Sequence, residues 1–155
     1  MLKVKGVVKQ FFSISWLAKD FAPLGVQVAS SASQTFFEFY TLLLGLMVWS
    51  SYATSKPVLV VGDNTGSLQD ALQYKGRGAL LIVARELAWR AARNGWIFAV
   101  GHLAAEHNLV PDSLSRLTAP NENKKPFPRK ELDQAVSVAA PTPSQVWSMN
   151  HRLDN

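Results

Sequence analysis

Three acidic residues stand apart from other charge in this chain: Glu38, Asp63 and Asp112. Glu38 is the sole charge between Asp20 and Lys56 and enters an apolar run. Asp63 ends the apolar stretch Val58-Leu-Val-Val-Gly62, and Asp112 follows Pro111 and opens Asp-Ser-Leu-Ser-Arg. A charge beside apolar neighbours is expensive unless it is paired, metal-bound or marginal to the core. Carboxylates that converge from distant segments suit phosphodiester hydrolysis, because hard divalent ions prefer oxygen ligands and keep coordination positions for water and substrate. His102, just after a second apolar run, adds a group that titrates near neutrality and suits a substrate contact or proton relay.

Each of these residues also has an ordinary structural explanation. Glu38 suits the positive end of a helix dipole, Asp63-Asn64 a turn, Asp112 a helix cap, and His102 a loop imidazole satisfied by backbone. His107 reads as solvated. Arg77, Arg85, Arg90 and Arg93 either face phosphates or form the water-facing side of a helix.

With no Cys, a metal must be held by oxygen or imidazole ligands, and reducing intracellular conditions are compatible. Sixteen Lys and Arg against 11 Asp and Glu leave +5, which suits a polyanionic partner without demanding one. A length of 155 residues, 48% hydrophobic, fits a globular domain with its own core.

The elements that must position the acids can be read in order. Residues 1–16 alternate around Gly6 and predict a hairpin. Residues 17–33, with Pro23, Gly25 and a Ser-rich cluster, read as loop and helix-capping region. Gln34 to about Tyr52 predicts a helix buried on several sides. Overlapping its end, residues 39–55 are uncharged, but the run turns polar after Trp49, short of the roughly 20 apolar residues a bilayer needs.

The strand ending at Asp63 is followed by a short helix over 65–74, a turn at Lys75-Gly-Arg-Gly78 and an amphipathic helix over 79–94. That helix carries an apolar stripe of Leu80, Val83, Ala84, Leu87 and Ala91. A second strand spans 96–100, a loop 101–111 and a short helix 112–117. This order predicts an α/β fold with parallel pairing across a helical crossover. Five of the eight prolines lie beyond Thr118. The expected organisation is therefore one domain over 1–117 and a flexible extension over 118–155, with Val146, Trp147 and Met149 as a docking patch.

Order and texture over residues 2–117 resemble the ribonuclease H-like domain of Gypsy-like and related retrotransposon reverse transcriptases. Glu38 through Trp49 is similar to the family's first long helix, Asp63-Asn64 to its strand end, and Arg85-Glu86-Leu87 to a later helix. The closing motif His-x-Pro-Gly-x-x-Asn-x-x-Ala-Asp-x-Leu-Ser-Arg is matched at His102, Asn108, Asp112, Leu114, Ser115 and Arg116. Ala104, Ala105 and Pro111 replace the family's Pro, Gly and Ala.

The resemblance implies a mixed sheet with flanking helices and catalytic Glu38, Asp63, Asp112 and His102. The three carboxylates would be ligands of Mg²⁺ or Mn²⁺, and the reaction a cut in the RNA strand of an RNA–DNA hybrid beside a polymerase domain. The opening hairpin resembles the family's second and third strands. No residue inherits the first Asp, so the resemblance implies a missing central strand, an incomplete two-metal site and weakened cleavage. Two other readings are an inactive nucleic-acid-binding or assembly module of a reverse transcriptase polyprotein, and a small membrane-anchored protein using residues 39–55. A membrane location is not expected. The expected setting is intracellular, with cytoplasm and nucleus undistinguished.

Overall fold

The computed structural model describes residues 1–117 and 123–147. The chain is mixed α/β, with small sheets and flanking helices, and divides into two compact units. One contains Met1–Ser15 and the described residues of 103–140; the other contains Trp16–His102 and residues 141–147.

In the first unit, strands β1 (Leu2–Val4) and β2 (Val7–Phe11) form the expected antiparallel hairpin. Lys5 and Gly6, both at positive φ, make its two-residue turn, a backbone whose twist matches that of the flanking strands. Downstream, the unit has α6 (Leu109–Ser115), α7 (Arg129–Leu132) and β5 (Val136–Ser137), which joins β2 in parallel. Phe11, Leu114 and Leu132 form its core, with Met1, Val8, Val110, Leu117 and Ala135 against it.

The second unit begins with α1 (Ala18–Phe21) and is organised around α2 (Gln34–Val48), which packs on α4 (Thr65–Gln73) and α5 (Ala79–Asn94). The helix expected to run to about Tyr52 breaks at Trp49 and resumes as α3 (Ser50–Ser55). Tertiary bonds hold the new direction. Trp96 Nε1 donates to Ser50 Oγ at 2.7 Å, Ile97 N to Ala53 O at 2.9 Å, and Thr54 Oγ1 to Asn94 O at 3.0 Å.

Strands β3 (Val58–Gly62) and β4 (Phe98–His102) pair in parallel, as a helical crossover requires. Their outward face is apolar: Leu59, Val61 and Ile97 are exposed. The hairpin sheet and this pair are separate sheets, with no strand joining them among the described residues.

The core of this unit is dense in aromatic residues. Phe21, Phe36, Phe37, Tyr40 and Trp16 make edge and stacked contacts, and Trp147 adds its ring at 5.5 Å from that of Tyr40. The segment from 118 onward, expected to be a flexible extension, is packed over its described part. Leu132 sits in one core and Val146, in α8 (Pro143–Val146), is fully buried in the other. Proline spacing conceals this, because single well-placed apolar residues leave no periodic pattern. Met149 lies outside the described residues.

At 15 residues, α2 is about 22 Å long, against about 30 Å of bilayer hydrocarbon. No helix among the described residues is long and apolar enough to cross a membrane.

Candidate active site

Register places the second unit's candidate groups. Pairing runs from Val58↔Phe98 to Gly62↔His102, so Asp63 and His102 leave the sheet at its carboxyl end, where open α/β sheets bind ligands. Both residues are exposed. His102 is the last residue of β4, two positions beyond the expected strand end.

Asn64 fixes the turn after Asp63. As the N-cap of α4, its Oδ1 accepts from Ser67 N at 3.0 Å, and its Nδ2 donates to Thr35 Oγ1 at 3.3 Å. One residue therefore satisfies a free helix donor and ties the strand end to α2.

Glu38 lies one turn inside α2 and is half-buried. Gln34 Nε2 donates to its Oε1 at 2.9 Å, and the buried Ser67 hydroxyl reaches its Oε2 at 3.5 Å. Burial pushes the Glu38 carboxyl above its ordinary range, and the charge of Asp63 adds to the rise. Hydrogen bonds from Gln34, Asn64 and Ser67 offset part of it. These are neutral donors; no Lys or Arg forms an ion pair with Glu38 or Asp63 among the described residues.

Two neighbouring carboxylates without a cationic partner fit part of the shell of a hard divalent ion. No group of three or more His, Asp or Glu side chains suited to a metal occurs among the described residues.

Asp112 belongs to the first unit. It lies inside α6 rather than at the start of the helix, so it is not the cap that its position after Pro111 suggests. Arg116 Nε donates to its Oδ1 at 2.7 Å, and Lys125 Nζ contacts its Oδ2. Burial works against the ionised form, but Lys125 and Arg116 outweigh it and hold the carboxyl below its usual range. Both carboxylate oxygens are engaged by cations. His107 is exposed, 3.7 Å from Glu106.

Sequence reasoning missed the roles of Gln34, Thr35 and Ser67 around Glu38. The Asn64-x-x-Ser67 spacing is a capping signal that points to part of this arrangement. It also missed Lys125, which lies in proline-rich surroundings, and the burial of Glu86. The chain matches no family model, no curated protein and no solved structure.

Proposed function

We propose that the chain carries a ribonuclease H-like site acting on the RNA strand of RNA–DNA hybrids with Mg²⁺ or Mn²⁺. The observation that carries this reading is the Glu38–Asp63 pair beside the carboxyl ends of β3 and β4, with Glu38 raised toward its neutral form and no ion-pair partner for either among the described residues. Such a pair gains most from a bound divalent ion, which relieves the repulsion between carboxylates. When bound, the ion supplies charge stabilisation to the phosphodiester oxygens.

Glu38 and Asp63 would hold it, with Gln34, Asn64 and Ser67 fixing the Glu38 carboxylate. His102, exposed at the same end of the sheet, would meet substrate or carry a proton.

A second reading, an inactive nucleic-acid-binding or assembly module of a reverse transcriptase, draws on a different observation. Asp112, the third carboxylate of the resemblance, has both oxygens engaged by Arg116 and Lys125. A ligand held in this way must break two ion pairs before it meets a metal.

Incubating an end-labelled hybrid with the chain and Mg²⁺ or Mn²⁺ separates the two. Metal-dependent cleavage of the RNA strand that is lost in Asp63→Asn and Glu38→Gln is the expected result. Cleavage unchanged by these substitutions discards the site, and hybrid binding without cleavage favours the second reading.

A further inference from the structure

Helix α5 divides its charges between two faces. Ile82, Val83, Leu87 and Ala91 are buried, and Glu86 is buried with them, held at 2.6 Å by Arg90 Nε. Arg90 also donates to the carbonyls of Gln145 and Val146 and is therefore not free for a ligand. The opposite face carries Arg85, Trp89 and Arg93 at successive four-residue intervals, one above another on the helix surface. Arg85 and Arg93 are exposed, Trp89 is half-buried, and the Arg93 guanidinium lies 5.0 Å from the centre of the Trp89 ring.

At the start of the helix, Tyr74, Lys75 and Arg77 line an open cavity of about 530 Å³ together with Leu80, Leu81 and Asp70. Leu81 lies four residues before Arg85 and so continues the stripe into the cavity. None of Lys75, Arg77, Arg85 and Arg93 forms an ion pair among the described residues, and Asp70 is the sole acid of the lining.

We infer that this face of α5, with Lys75 and Arg77 in the turn before the helix and Arg85, Trp89 and Arg93 along it, is a docking surface for single-stranded nucleic acid. Two cations on the stripe and two in the turn before it, none in an ion pair among the described residues, match a polyanion. The interleaved aromatic groups select which one. An acidic peptide would use the guanidiniums but neither Tyr74 nor the Arg93–Trp89 stack, whereas a strand with unstacked bases offers phosphates to the first and π-faces to the second. The surface uses no carboxylate and needs no metal, so it stands apart from the cleavage reading.

Fluorescence anisotropy of a labelled oligo-dT with the full chain, in EDTA over a salt series, tests this. Four phosphate contacts on a single strand predict a slope of log K against log salt of about −2.8, and the double variant Arg85→Gln/Arg93→Gln should reduce its magnitude by about 1.4. Trp89→Ala should weaken binding at fixed salt by about tenfold with the slope retained. Because the series is run in EDTA, this binding is read apart from metal-dependent cleavage, and the two outcomes stay distinct. Equal affinity and slope in the double variant would overturn the assignment, as would absence of binding or tighter binding of a poly-Glu peptide. Arg85 and Arg93 are exposed, so the double variant leaves the core intact and remains informative if Trp89→Ala does not fold.

Discussion

At the scale of single residues, the two candidate carboxylates that can be compared sit in opposite electrostatic settings. Glu38 has neutral donors and a like charge nearby; Asp112 has two cations. The sign of each effect on stability follows. Because the folded chain raises the Glu38 carboxyl, it holds that proton more tightly than the unfolded chain does. The resulting stabilisation is complete below the unfolded value and is lost as pH rises through the folded one. In the absence of divalent ions, Glu38→Gln should therefore gain stability relative to the parent at neutral pH and lose that advantage near pH 4. Thermal melts at the two pH values measure this, and an unchanged pH dependence would refute the assigned environment. Asp112 has the reverse sign, with stability present above the unfolded value and lost as acid protonates it. Its partners are nearly half exposed, which limits the pair to the modest worth of a surface ion pair.

At the scale of elements, α5 was legible end to end. Its apolar spacing and Asn94-Gly95 stop predict residues 79–94, which are the residues it contains, with Gly95 at positive φ as its C-cap. Its buried face was only partly legible, since Ile82 and Glu86 belong to it and Leu80 is only half-buried. Glu86 is tolerated there because Arg90, one turn on, pairs with it and also caps carbonyls of α8. Arg90→Met removes that partner from a fully buried carboxylate, and such losses cost about 3 kcal/mol. Chemical denaturation reads this directly, and a cost below about 1 kcal/mol, typical of exposed pairs, would show that the buried pair is not holding the helix. By contrast, the break of α2 at Trp49 has no local signal. It depends on bonds from Trp96 and Ile97, residues nearly fifty positions away in sequence.

At the scale of the whole molecule, the chain is two units interleaved in sequence, because each draws on an early and a late segment. Residues 141–147 belong with the helical unit, where Val146 is fully buried and Trp147 packs against Tyr40. A chain ending at Ala140 should be destabilised by about 2 kcal/mol from the lost burial of Val146 alone, with more from Trp147. A thermal melt by circular dichroism reports the difference. An unchanged midpoint would mean that these residues add nothing to the core in solution.

The amino-acid sequence by itself determined the local elements: the hairpin at Lys5-Gly6, the apolar strand before Asp63 and the bounds of α5. Each is set by nearest-neighbour chemistry, namely φ preference, period and capping, and so is written within a few residues. Only the tertiary structure decided which acids are neighbours and in what company. Asp63 comes near enough to Glu38 for their charges to interact where Asn64 ties the end of β3 to Thr35 on α2, across 29 positions. Asp112 meets Lys125 from a segment with no periodic pattern. The environment of a carboxylate depends on the charges and donors that folding brings to it, and those lie too far along the chain for any local pattern to record.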